Sequence, residues 1–138
     1  MRITQEGDYA LRVVLYLYRY GMGKRIEAKA ISSHENVPQR FLLKLLRKLA
    51  AAGIIESYKG YGGGYAITRP PETVSILDVL EAIEGPVIIN KCLGDESACN
   101  AGRAKTCQMH KALESVQNKL IKELSAINFK KLLNQNFK

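Results

Sequence analysis

No stretch of the 138 residues reaches the roughly 18 consecutive apolar positions of a membrane-crossing helix, so no span is expected. The first apolar stretch contains Asp8 and Arg12 and lacks a small-residue cleavage motif. It makes a poor signal peptide, and the expected location is the cytoplasm. Cysteine is scarce and odd in number, three in all, which argues against a disulfide framework and for metal or redox use. Glycines crowd residues 60–64, yet no Gly-Lys-Ser/Thr follows and no helix opens there. A phosphate-cradling P-loop is therefore excluded. No second cofactor motif accompanies the cysteines, which counts against an electron-transfer protein or a cluster enzyme.

What is present is a basic, amphipathic chain of one domain's length, with a net charge of +8. The charge is unevenly placed. Residues 1–69 hold twelve Lys/Arg against five Asp/Glu, a net of +7, whereas residues 70–138 hold nine against eight. A basic first module (1–69) followed by a near-neutral second one (70–138) is the division expected. The excess is what a nucleic-acid-binding head would carry, although a solvated surface has the same composition.

Helical spacing of Tyr9, Ala10, Val13, Val14, Leu17 and Tyr20 predicts a first helix, opened by Thr4 or Gln5 and closed by Gly21 and Gly23. A short helix over 27–33 follows. Asn36 stands near a cap and Pro38 in the first turn of the next helix, over 39–52. There Phe41, Leu42, Leu45, Leu46 and Leu49 form an apolar face. Arg40, Lys44 and Arg47, with Lys48 beside them, form the opposite one. A short helix, a turn and a basic amphipathic helix suit a helix-turn-helix, whose second helix lies in the DNA major groove. A plain helical hairpin with a solvated basic face fits equally well until the next segment is read. Residues 54–59 and 65–68 read as strands joined by a glycine-rich tip, a hairpin directly after the basic helix. The expected fold is mainly α with a small β-hairpin wing, a winged helix-turn-helix. Candidate DNA contacts are Gln39, Arg40, Leu43 and Lys44 on the helix and Lys59 and Tyr61 on the wing, with Leu43 suited to a thymine methyl.

In the second half, Ile76, Val79, Leu80 and Ile83 line a linker helix over 75–84. Leu113, Val116, Leu120, Leu124 and Ile127 make a narrow stripe on a long helix over 110–128, close to a coiled-coil seam. Because helix-turn-helix proteins usually read paired half-sites, a homodimer through this helix is expected. The last ten residues read only as polar and basic. Between the two helices, Cys92, Cys99, Cys107 and His110 stand at Cys-x6-Cys-x7-Cys-x2-His spacing. Structural zinc sites pair ligands two to four residues apart, which only Cys107 and His110 satisfy. The wider, glycine-dotted gaps allow a loop to wrap an iron–sulfur cluster. Zinc, or three unrelated thiols, remain alternatives.

The segments "MRIT…GDYALR", "LLRKLAAAGIIESYKGYGGGYAI" and "SILDVLEAIEG" together resemble the bacterial IscR/NsrR/CymR family of winged-helix transcription regulators, over nearly the whole chain. The wing motif "GYGGGY" and the cysteine loop are the most specific parts of the likeness. The resemblance implies a regulator that binds double-stranded DNA as a homodimer. It also implies an iron–sulfur cluster, 2Fe–2S in preference to 4Fe–4S, on Cys92, Cys99 and Cys107. The cysteine gaps here are wider than that pattern has. For a fourth ligand, His110 matches the IscR-like histidine and Asp8 the NsrR-like carboxylate. His110 is favoured, since Cys-x2-His keeps two ligands on one helical turn. A thiol- or zinc-based regulator without a cluster is the other reading.

Overall fold

The computed structural model describes residues 2–134. Seven helices and one two-stranded sheet follow in the order α1 (Gln5–Tyr20), α2 (Ala28–Glu35), α3 (Gln39–Ala51), β1 (Glu56–Tyr58), β2 (Gly64–Ala66), α4 (Ile76–Glu84), α5 (Lys91–Gly94), α6 (Gln108–Ala126) and α7 (Phe129–Leu133).

Local chemistry sets the helix ends. The Thr4 hydroxyl accepts from the Gly7 amide at 3.1 Å and so caps α1, and Gly21 closes it at φ 137°. Asn36 ends α2 in the left-handed region (φ 55°, ψ 49°), a conformation asparagine tolerates. Pro38 is the N-cap of α3, one position outside the first turn where sequence spacing had put it. A two-way capping box opens α4: the Ser75 hydroxyl accepts from the Asp78 amide, and the Asp78 carboxylate accepts from the Ser75 amide.

Buried side chains of α1 (Ala10, Val13, Val14, Leu17), α2 (Ile31) and α3 (Leu42, Leu45, Leu46, Leu49) form the centre of the core. Two departures from the pattern in sequence arise from packing. Phe41, expected on the apolar face of α3, is 45 % exposed, and the Arg40 guanidinium lies over its ring at 5.0 Å. Phe41 sits at the rim of that face, where it lines a hollow with Gln5, Glu6 and Tyr9 of α1 and with Lys44. The strands are shorter than 54–59 and 65–68, because Ile54 and Ile55 point into the core before pairing begins. The pairing that remains is antiparallel, with Glu56 opposite Ala66, Ser57 opposite Tyr65 and Tyr58 opposite Gly64.

The same core takes side chains from both halves of the chain. Val74, Val79 and Ile83 around α4 belong to it, as does Phe129 of α7. Phe129 is 1 % exposed and tilted against Tyr18 at 5.6 Å between ring centroids. The Asn128 side chain caps α7, and a bridge between Ser75 and Asn128 fastens the end of α6 to the start of α4. Lys48 joins this packing too: its ammonium pairs with Glu6 of α1 at 3.0 Å and donates to the Ile83 carbonyl at 3.4 Å. It is therefore occupied inside the fold and does not belong with the free cations of α3. In contrast, α6 packs on α4 and α5 but buries none of its side chains fully; Leu113, Leu120, Leu124 and Ile127 are half-buried and Val116 is 54 % exposed.

Candidate nucleic-acid interface and cysteine segment

The turn between α2 and α3 is held from several sides. Val37 is buried, its amide donates to the Ser32 carbonyl at 3.1 Å, and the Ser32 hydroxyl donates back to the Val37 carbonyl at 2.5 Å. Arg12 reaches from α1 to the Glu35 carboxylate at 3.6 Å and to the Glu35 carbonyl, and it also pairs with Asp8 at 3.2 Å. His34 stacks on Tyr16, ring centroids 4.0 Å apart. These contacts clip α2 to α1 and so fix the angle at which α3 leaves the head.

On α3, Gln39, Arg40, Leu43, Lys44 and Arg47 are all exposed. Among the described residues, none of the three cations has a carboxylate within ion-pair distance, and the first turn carries no acidic side chain. A helix N-terminus with a free arginine beside it is favourable ground for a phosphate. Leu43 is 38 % exposed among these cations, an apolar group facing solvent on an otherwise polar surface.

The wing follows at once. Lys59 and Tyr61 stand on its tip, and Tyr61 is fully exposed. Gly63 and Gly64 are required there sterically. A Cβ at Gly63 would meet the Tyr58 carbonyl oxygen at 2.4 Å, and one at Gly64 would meet the Ile26 carbonyl oxygen at 2.5 Å. Glycine lets the tip fold back tightly while its outer side chains project.

The cysteine segment, a loop by sequence, contains two short helical turns. Cys92 lies on α5, Cys99 ends a 3-10 turn over Glu96–Ala98, and Cys107 is the N-cap residue of α6. All three thiols are free and partly buried. His110, in the first turn of α6, is only 10 % exposed, and its Nδ1 lies 3.2 Å from the Cys92 Sγ. Its Nε2 faces the Glu114 carboxylate at 3.9 Å. Glu114 is a member of this site that sequence reading overlooked; its signal was the i, i+4 step from His110 on one helix face. Backbone amides of Arg103, Ala101 and Gly102 point at Cys99 and, with the Arg103 charge, hold its thiol below the usual range. Cys99 also lines an open cavity of about 390 Å³ with Glu96, Arg103 and Thr106.

The structure thus brings Cys92 and Glu114 to the two nitrogens of the His110 ring. Among the described residues, no three of His, Cys, Asp and Glu gather closely enough to hold a single metal ion. Asp8 is taken up by Arg12. Three unpaired thiols and a shielded imidazole fit an iron–sulfur cluster in donor chemistry, which asks for thiolates first and accepts imidazole.

A clipped helix pair, an outward basic helix and a glycine-tipped hairpin on one core define a winged helix-turn-helix protein. Residues 3–135 match the Rrf2 family, described as iron-dependent transcriptional regulators, and the chain belongs to that family. A Haemophilus influenzae protein provisionally named as an HTH-type transcriptional regulator is 28 % identical over 135 residues, spanning 98 % of this chain and 88 % of its own. Among solved structures, the oxidized form of Staphylococcus aureus CymR superposes with a TM-score of 0.71 at 26 % identity, covering 96 % of this chain and 95 % of its own. IscR of T. potens superposes at 0.76 over 99 % of this chain and 89 % of its own; at 18 % identity that likeness concerns the fold. The protein is a transcription regulator and not an enzyme. Among the described residues, no helix is long and apolar enough to cross a membrane.

Proposed function

We propose that this protein is a dimeric DNA-binding regulator that senses iron–sulfur, redox or nitrosative status through a cluster held by Cys92, Cys99, Cys107 and His110. The observation that carries the reading is the contact between Cys92 and His110, which ties α5 to the first turn of α6. In this reading residues 1–69 supply the DNA contacts, from Gln39, Arg40, Leu43, Lys44, Lys59 and Tyr61, and residues 70–138 supply sensing and pairing. A bound cluster, 2Fe–2S in preference to 4Fe–4S, would supply a centre that can be oxidised, nitrosylated or lost.

The chain's own packing supports a route from that segment to DNA. Val79 and Ile83 of α4 sit in the head's core, and the Glu84 carboxylate at the end of α4 accepts from the amide and the hydroxyl of Thr4, the cap of α1. The Ile89 amide, just before α5, donates to the Gln117 side chain on α6 at 2.9 Å. Movement of the segment between 89 and 107 therefore pulls on both the head and α6. In a dimer through α6, such a shift alters the spacing of the two recognition helices, which must lie roughly 34–36 Å apart to read a two-fold operator.

A thiol-based regulator without a cluster is the second reading, supported by the Cys92–His110–Glu114 contacts and the amide-stabilised Cys99. Anaerobic purification with a visible spectrum and an iron count separates the two. A coloured, iron-containing protein is expected, with alanine at Cys92, Cys99 or Cys107 abolishing the chromophore while the fold survives. His110→Ala should shift the spectrum or make the cluster labile, and Asp8→Ala should leave it unchanged. Bleaching by Asp8→Ala with an unaltered His110→Ala spectrum transfers the fourth position to Asp8. Wild-type iron and operator binding in all three cysteine variants removes the cluster from the function.

A further inference from the structure

Arg25 lies in the connection between α1 and α2, on a segment that was not among the candidate DNA contacts but runs beside the wing. The Ile26 amide donates to the Tyr65 carbonyl at 2.9 Å, and the Tyr65 amide donates to the Ile26 carbonyl at 2.8 Å. The connection is therefore joined to β2 by a single antiparallel bridge at Ile26. That register sets Arg25 beside Ala66, and Ala66 is opposite Glu56. Alternation then places Arg25, Glu56 and Tyr58 on one face of the sheet. On the intervening strand that face presents only Gly64 and Ala66, so nothing bulky blocks the arginine stem. Its guanidinium lies 3.8 Å from the centroid of the Tyr58 ring.

Two further contacts hold this arrangement in place. The Tyr58 hydroxyl donates to the Glu56 carboxylate, which also accepts from the Thr68 hydroxyl at 3.4 Å. The carboxylate nearest in register is thus engaged by two hydroxyls. Among the described residues, no acidic side chain lies within ion-pair distance of Arg25. Tyr58 is the last paired residue before the wing tip that carries Lys59 and Tyr61.

A guanidinium stacked on a ring keeps its in-plane donors open, and those donors match two oxygens of a phosphate. The stack also settles the side chain's rotamer beforehand, which lowers the entropy lost on binding. We infer that Arg25 is a preset phosphate clamp: as the wing meets duplex DNA, its guanidinium grips a backbone phosphate, with Tyr58 as its positioning residue. The inference rests on the protein binding DNA through the wing.

The test is binding of the full-length protein to a mixed-sequence duplex over a range of salt concentrations. Arg25→Gln keeps most of the stem but removes the charge. It should weaken binding to every sequence and make the slope of log K against log salt shallower by about 0.9, one counterion's worth. Tyr58→Leu keeps the charge and loses the platform, so affinity should fall several-fold with a near wild-type slope. An Arg25→Gln protein that melts like wild type and keeps the wild-type slope overturns the clamp, and so does undiminished affinity in Tyr58→Leu. If Arg25→Gln melts early, Arg25→Lys serves in its place and should bind more weakly at an unchanged slope; wild-type affinity there also overturns the clamp. Failure of the wild-type protein to bind any duplex at low salt would instead remove the DNA-binding premise.

Discussion

Replacing Phe129 with alanine removes the largest fully buried side chain of the described core, at a position the fold makes decisive. Phe129 comes three residues after α6 ends, yet its ring packs against Tyr18 of α1 at the other end of the sequence. A Phe→Ala change in a close-packed core costs about 3–5 kcal/mol, from lost transfer energy and the cavity left behind. The tilted pair with Tyr18 accounts for roughly 0.5–1.5 kcal/mol of an aromatic contact within that range. Native domains are stable by about 5–15 kcal/mol, so the substitution should remove roughly a fifth of the total or more. In urea, with m of roughly 2 kcal/mol per molar, the midpoint should fall by about 1.5–2.5 M. The assay is urea unfolding followed by circular dichroism, at one protein concentration for both proteins because self-association shifts the midpoint. A single cooperative transition, displaced as a whole, is the expected result. A wild-type midpoint, or a small separate transition ahead of an unshifted main one, would make α7 an appendage and refute the single shared core.

Leu120→Glu places a charge on the half-buried stripe of α6; if that stripe is the pairing seam, two unpaired charges face each other at a cost of several kcal/mol. Sedimentation should show monomer and operator affinity should collapse, whereas a mutant that remains dimeric moves the interface elsewhere. Lys59→Ala on the exposed wing should weaken binding to all sequences and flatten the salt slope by about one, and an unchanged slope with unchanged affinity removes Lys59 from the interface. Ser75→Ala breaks one half of the capping box on α4 and should cost about 1 kcal/mol, seen as a lower melting temperature with DNA contacts unaltered. An unshifted melting temperature would mean that water replaces the hydroxyl at no cost.

Local chemistry was legible in the linear sequence because it acts over a few residues. Helical periodicity, Thr4 as a cap, Gly21 as a stop and the glycine-rich tip depend on side chains and dihedrals within one or two turns. The same holds for the basic face of α3, where Arg40, Lys44 and Arg47 share a side by spacing alone. From these elements the winged helix-turn-helix class followed, and the cysteine-histidine segment was marked by composition. Tertiary packing decided the rest. Phe41 carries an apolar side chain at a plausible spacing, yet packing leaves it half open at the rim beside Gln5, Glu6 and Tyr9. Lys48 looks like a fourth DNA-facing cation until Glu6 and the Ile83 carbonyl arrive from other helices to take it. The basic tail gave no sign that Phe129 closes the core, because its partner Tyr18 is more than a hundred residues away. His110 is three positions from Cys107, yet its imidazole meets Cys92, since the turn of α5 folds back on the first turn of α6. Spacing along a chain constrains neighbours on one helix; which of two distant groups meets a third depends on how the helices pack.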